Sequence, residues 1–319
     1  MEGTLQDQLQ NYGFFRIMKE SLKTLSSHKK LFAQLAATFL LPFSLLFLTY
    51  IALFVIILND ILSNESSFTY NKIYYLFLAN LATVSILTSL ALFWIAAAIC
   101  AVASAIANKP VDFRAVIHSV PEMWKKLAAT YMWIRLAILF FCAAALGLLV
   151  LLSLGWNRMA QFWRVFLLVV ILVVYALEAV YIIMLWGIAS VVSVVEDVYG
   201  LKSIVRAKKL VRGKIVVAGA YIVLLVAFIV GIEFMEGSLV ALPVLNIGLR
   251  VLIGMVSVGL FSLALLVAPV FEVHLYTVCM ACRQQVVDWR LLSERLQADH
   301  GHYPDLQKGS VEMDYLENP

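Results

Sequence analysis

From Ile73 to Asn108 the chain runs for 36 residues without a charged side chain. As one helix, at about 1.5 Å per residue, such a run is some 54 Å long, against a bilayer hydrocarbon core of about 30 Å. It has to tilt strongly, break, or continue past the membrane as a helix packed on its neighbours. About 20 apolar residues suffice for a helical crossing, and six segments meet that need: 31–58, 73–107, 127–154, 165–195, 215–232 and 251–276. The fifth is the shortest, because Glu233 and Glu236 close it early.

A soluble fold of this size has no means of hiding the apolar surface. Hydrophobic residues make up 63% of the 319 and charged ones 14%, where a soluble domain carries about 25% charged. The excess has to face lipid. The uncharged run from Leu31 to Asn59 is 29 residues long, whereas a cleavable signal has an apolar core of roughly 7–15. It reads as a retained first span. Four cysteines are too few for a disulfide framework, and Cys100 and Cys142 fall inside spans, where a buried thiol serves as a small hydrophobe.

Six crossings place the N-tail, the 109–126 and 196–214 loops and the C-tail on one side. These hold nineteen of the 24 Lys and Arg. Positive charge marks the cytoplasmic side, so both termini are expected there. An odd number of spans would scatter basic clusters over both faces. Asn64–Glu65–Ser66 is an N-glycosylation sequon on the expected outer face, in a loop so short that it holds Asn64 close to the bilayer.

A short pattern precedes a span three times. Phe15, Met18, Ser21 and Leu22 lead to Lys29 and Lys30; Phe113, Val116, Ser119 and Val120 lead to Lys125 and Lys126. Leu201, Ile204 and Val205 lead to Lys208, Lys209, Arg212 and Lys214. Each copy forms an apolar stripe at helical spacing flanked by cations, although Pro121 interrupts the second. Such a helix lies in the interface with its cations toward anionic headgroups, or simply anchors and packs on the cytoplasmic face. The expected architecture is all-α: a polytopic membrane helix bundle of six transmembrane helices in three hairpin repeats, near 15–107, 113–195 and 201–279. Each repeat opens with a basic amphipathic interfacial helix. Residues 1–30 form an N-tail, 31–279 the membrane domain, and 280–319 a C-tail that turns acidic and partly disordered. Within that tail Tyr303–Pro304–Asp305–Leu306 has the form of an adaptor-read sorting signal.

Ionisable groups within spans are costly to bury and therefore candidates for function. Here they are Arg135, Glu178, Glu272 and His274. Arg135 and Glu178 sit on adjacent antiparallel spans, as a register-fixing ion pair or as a coupling pair in a polar cavity. Val195–Glu196–Asp197 and Phe271–Glu272 both put a carboxylate near the cytoplasmic end of a span. Cys279 and Cys282, directly after the sixth span, are candidates for S-acylation or for plain packing. A zinc site would need four ligands, and only His300 and His302 stand by to help, so no metal is expected. No His-Glu-x-x-His, Gly-x-Ser-x-Gly or phosphate-cradling loop is present. The chain is accordingly expected to be no enzyme, to hold no cofactor and to bind no nucleic acid. Its expected partners are membrane lipids, anionic headgroups among them, and proteins that meet the cytoplasmic tails. A small-solute or lipid transporter working around Arg135 and Glu178 is the rival reading.

Val194–Val195–Glu196–Asp197, Gly200–Leu201–Lys202–Ser203 and 208–214, with Phe14–Phe15–Arg16–Ile17 and Glu20–Ser21, resemble a plant family of six-span membrane proteins. Some members carry the label of binding a polyadenylate-binding protein. The arrangement is also similar to the membrane domains attached to some bacterial glycerophosphodiester phosphodiesterases. The first resemblance implies six spans in plant endomembranes or plasma membrane; the second implies only the hairpin architecture. Neither implies an activity.

Overall fold

The computed structural model describes residues 13–63, 70–107, 113–155, 161–196, 198–240 and 246–283. Among them every regular element is helical: α1 (Phe14–Ser27), α2 (Lys29–Leu35), α3 (Leu41–Ser63), α4 (Tyr70–Ile106), α5 (Phe113–Gly155), α6 (Gln161–Val195), α7 (Leu201–Val211), α8 (Ile215–Val240) and α9 (Ile247–Cys282). Six stretches are long and apolar enough to cross a membrane: Lys29–Tyr50, Leu78–Ile106, Phe113–Ala145, Val165–Val195, Ile215–Met235 and Gly248–Cys282. The chain is a multi-pass integral membrane protein. The Asn64 sequon, Asp197, the Tyr303 motif, His300 and His302 lie outside the described residues.

The long uncharged segment does not break. α4 is one helix of 37 residues, and its surplus length is covered by protein: Ala96, Ala97, Ala98, Ile99, Cys100, Ala101 and Val102 are all fully buried. Small side chains there let neighbouring backbones approach closely, which is how helices pack where no hydrophobic effect drives them together. One expectation needs correction. The second copy of the repeated pattern is not a separate interfacial helix, because α5 runs 43 residues straight through Pro121. Proline removes a single N–H, and the helix continues on both sides of it. The fifth apolar stretch, Ile215–Met235, ends between Glu233 and Glu236 as read, while the helix α8 itself continues to Val240.

The chain divides into two compact units, one of Met1–Ile17, Lys125–Ala227 and Glu272–Val286, the other of Met18–Trp124, Phe228–Phe271 and Val287–Pro319. In the second unit α3 and α4 run antiparallel. Asn80 Nδ2 donates to Tyr50 Oη at 2.8 Å, and Phe39 stacks on Phe93 with centroids 6.4 Å apart. Phe47 stacks on Phe261 of α9 at 5.0 Å. Beside it Ser262 Oγ lies 2.8 Å from Ser44 Oγ, which donates to Leu40 O.

Two prolines in this unit leave signatures that the packing answers. Pro42 has no N–H to give Thr38, and the turn just before it, Ala36–Leu40, is π-helical: Leu41 N–H reaches back to Ala36 O. Pro269 likewise cannot serve Leu265 O, four residues earlier in α9. That carbonyl accepts instead from the Trp94 indole Nε1–H of α4 at 3.3 Å, as an indole donor buried in lipid requires. Trp94→Phe is expected to lose about 1–2 kcal/mol of stability, the usual penalty for an orphaned buried carbonyl. Pro269→Ala should recover part of it by restoring an N–H for Leu265 O. Thermal melts of the single and double variants in one detergent check both points.

Candidate functional site

The first unit gathers its polar side chains around the chain reversal between α6 and α7. Gly200 makes the reversal with φ 71°, a left-handed backbone that side chains other than glycine adopt only under strain. Its N–H donates to Thr130 Oγ1 of α5 at 2.9 Å, and Trp133 packs within 3.5 Å of where a Cβ would stand. The reversal lays α7 back along α6. Ser203 Oγ–H donates to Ala189 O at 3.1 Å, and Ser203, Ala207, Leu210 and Val211 are buried.

α7 therefore has two apolar faces, and the stripe read from sequence is the outer one. Leu201 and Val205, one turn apart, are about half exposed, as is Tyr199 before them. Lys202, Lys208, Lys209 and Arg212 are exposed around them, and Lys214 is half-buried. α1 repeats this arrangement, with Phe15 and Leu22 exposed and Ile17 and Ser21 buried. Ser21, Ser119 and Ala207, each six residues after the first residue of its copy, are all buried. A small residue at the contact is what the three copies share. Lys29, Lys30 and Lys125 are exposed, and Lys126 is half-buried.

An ion pair anchors α7. Arg206 Nε–H donates to Glu196 Oε2 at 2.9 Å, and Tyr276 Oη–H of α9 donates to Glu196 Oε1, also at 2.9 Å. The Arg283 guanidinium donates to Lys209 O. The carboxylate at the end of α6 thus holds α7 and α9 together. Its neighbour in kind, Glu272, meets Gly187 of α6: a Cβ on that glycine would overlap the Glu272 carboxylate, with Cδ only 2.5 Å away. Tyr221 of α8 is buried within electrostatic reach of the same carboxylate.

Arg135 and Glu178 do not come together. The rings of Tyr131 and Trp186, 5.8 Å apart, and of Phe141 and Tyr175, 4.8 Å apart, fix the antiparallel register of α5 on α6. In that register the two ionisable residues sit at levels differing by about one turn, ~5 Å. Helical side chains lean toward the N-terminus of their own helix, so on antiparallel helices these two lean apart. Arg135 reaches back to Tyr131: its Nε–H donates to Tyr131 Oη and its guanidinium lies 5.1 Å from the ring centroid. Glu178 is half-buried, and no ion pair joins it to Arg135 among the described residues. Arg135 is exposed instead, on an open groove of about 590 Å³ lined by Trp133, Leu136, Leu139 and Cys142.

The cysteines divide differently from expectation. Cys142 is exposed on the outward face of α5, while Cys100 is buried against Met123 Sδ. Cys279 is buried and Cys282 is half-exposed, so of the acylation candidates only Cys282 presents a thiol. His274 is half-buried in α9. Sequence reading did not assign partners to Glu196, Arg206 and Tyr276, nor roles to Gly187, Tyr131 and Trp94. The ten-residue step from Glu196 to Arg206 across a glycine turn was the one local signal for any of them. No curated protein and no solved structure matches the chain. The family described as Domain of unknown function (DUF8558) matches residues 1–316, and the chain belongs to that family.

Proposed function

We propose that this protein works without catalysis as an organiser of the membrane it spans. Both termini and the basic loops lie in the cytosol, where the loops gather anionic headgroups and the tails are offered to protein partners. The six crossings form three hairpins, with α1 and α7 lying in the cytoplasmic interface. The membrane is an endomembrane or the plasma membrane, as the resemblance to the plant six-span family implies.

The observation that carries this reading is the two-sided build of α7. Its small buried face is tied to α6 by Ser203 and to Glu196 by Arg206. Its other face offers Leu201 and Val205 to hydrocarbon, with Lys202, Lys208 and Lys209 beside them. Cations at an anionic surface contribute about 1 kcal/mol each, screened beyond a Debye length of roughly 8 Å at physiological salt. A helix built only to pack would keep Leu201 and Val205 inside.

The test reconstitutes the full chain in phosphatidylcholine vesicles doped with phosphatidylserine. Energy transfer from labelled protein to labelled phosphatidylserine, compared with labelled phosphatidylcholine, reports local enrichment. Enrichment is expected to fall several-fold in the Lys202→Gln, Lys208→Gln, Lys209→Gln triple variant and in high salt. Equal enrichment by wild type and variant would reject the reading, and solute flux that disappears in Glu178→Gln would favour transport instead.

A further inference from the structure

Glu178 carries a polar group that the fold leaves unanswered. It lies close to the midpoint of the apolar stretch Val165–Val195, and among the described residues it forms no ion pair and no hydrogen bond. A carboxylate at that depth is costly to leave alone. Even as a neutral acid it would hold an O–H with no acceptor in hydrocarbon.

The surroundings of Glu178 say where an answer has room to come from. Between Val165 and Ala179 every residue is exposed except Leu167, Ile171, Tyr175 and Glu178, which are half-buried. These four recur at helical spacing and so form one stripe. The Tyr175 ring against Phe141 shows that the stripe faces α5. Glu178 therefore stands in the seam of the α5–α6 hairpin, closed on one side by α5 and open on the other. In the register of the ring pairs it is level with Ile138, one turn from the buried Ile134. On its own helix Val174 and Leu177 flank it, both exposed.

The charge and the depth together select the occupant. A lipid headgroup stays at the surface, about 15 Å from the middle of a hydrocarbon core of roughly 30 Å, and does not reach Glu178. A second copy of the chain would set Glu178 against Glu178 across a twofold axis, like against like. Its Arg135 would stand about a turn away in level, drawn toward Tyr131. A helix with a Lys or Arg at the middle of its span has the complementary difficulty, since that cation is equally costly in lipid. Laid along the open side of the seam, it satisfies both groups at once. Polar side chains join helices in this way where lipid supplies no hydrophobic drive between them.

We propose that the α5–α6 seam is a docking site for one transmembrane helix of another membrane protein, a helix that pairs a mid-bilayer Lys or Arg with Glu178. The proposal rests on the lipid-spanning reading of α5 and α6 and is independent of α7.

The probe is a synthetic transmembrane peptide of leucine and alanine with one central Arg, compared with the same peptide carrying Leu there. A central residue makes the orientation of the peptide immaterial. The full chain carrying Cys142→Ser is labelled at Cys282, because Cys100 and Cys279 are buried, and is reconstituted in phosphatidylcholine vesicles. Energy transfer to the labelled peptide is expected to saturate at about five- to thirtyfold lower peptide-to-lipid ratio for the Arg peptide than for the Leu peptide. Glu178→Gln should erase that preference, and Glu178→Asp, which keeps the charge on a shorter stem, should retain part of it. Moving the Arg two turns off centre should also erase it. The proposal falls if wild type takes both peptides equally, or if Glu178→Gln keeps the preference. Should Glu178→Gln fail to fold, the displaced-Arg peptide decides, and an undiminished preference for it overturns the depth match. Transfer between labelled copies of the chain that Glu178→Gln abolishes, with no peptide preference, would assign the seam to a second copy and overturn the proposal. Because α7 is untouched, phosphatidylserine enrichment in the vesicle assay would persist in Glu178→Gln even where docking fails.

Discussion

Glu196→Arg is expected to lower the stability of the solubilised protein by about 2–4 kcal/mol, somewhat under the range for breaking a fully buried ion pair because both partners keep some contact with solvent. The side chains of Arg206 and Glu196 are 30% and 19% exposed, so screening weakens the pair without abolishing it. Two charge-assisted hydrogen bonds are lost together, from Arg206 and from Tyr276, and a guanidinium is placed against a guanidinium. The loss should fall on α7, which is joined to α6 across the Gly200 reversal by this pair and by Ser203. Limited proteolysis after Lys208 and Lys209, exposed on α7, is therefore expected to accelerate before global unfolding does. The compensating variant, Glu196→Arg with Arg206→Glu, should recover the Arg–Glu term and leave only the Tyr276 contact missing. If the double variant melts no higher than Glu196→Arg alone, the pair does not anchor α7. Glu196→Gln is the gentler control: it keeps an acceptor for Tyr276 Oη–H and a neutral partner for Arg206, and should cost about 1 kcal/mol.

The spans were legible because a membrane reduces helix prediction to length and charge. Any run of about 20 residues without charge has one solution in hydrocarbon, and the six stretches found agree with the six read. Where the ends fell was less legible. Pro121 looks like a boundary by soluble rules, yet α5 passes through it, and α8 runs on to Val240 although its apolar stretch closes at Met235. The polar partners were less legible still. Arg135 and Glu178 look paired by depth, but side-chain lean and the aromatic register of α5 on α6 separate them. Trp94 meets Leu265 across 171 residues of sequence, and only the freed carbonyl opposite Pro269 gives that meeting a reason. The stripe on α7 was found correctly as apolar. Its direction depended on Ser203 and Ala207, small residues that a search for large hydrophobes passes over.

Gly187→Ala is expected to destabilise the wild type by about 1–3 kcal/mol, as overpacking a filled interior does. The competing term has the opposite sign: glycine inside a helix is worth about 1 kcal/mol less than alanine. Geometry decides between them. The added methyl would occupy the space of the Glu272 carboxylate, and although that group ends a flexible side chain, it has few places to go. Tyr221 lies buried beside it, and Val273, Phe271 and Tyr276 of the same helix are buried around it. Rotating a carboxylate out of such a niche toward hydrocarbon is the costly alternative. In a Glu272→Ala background the obstacle is gone, so Gly187→Ala should there become neutral or stabilising by up to about 1 kcal/mol, its helix-propensity gain alone. The Gly187→Ala loss should therefore vanish or change sign between the two backgrounds, a coupling of about 1–4 kcal/mol in a double-mutant cycle, where contacting pairs usually give about 0.5–3. Thermal or denaturant melts of the four proteins in one detergent measure it. An equal loss in both backgrounds would mean that Gly187 answers to some neighbour other than Glu272, and the close approach of α6 to α9 would then need another explanation.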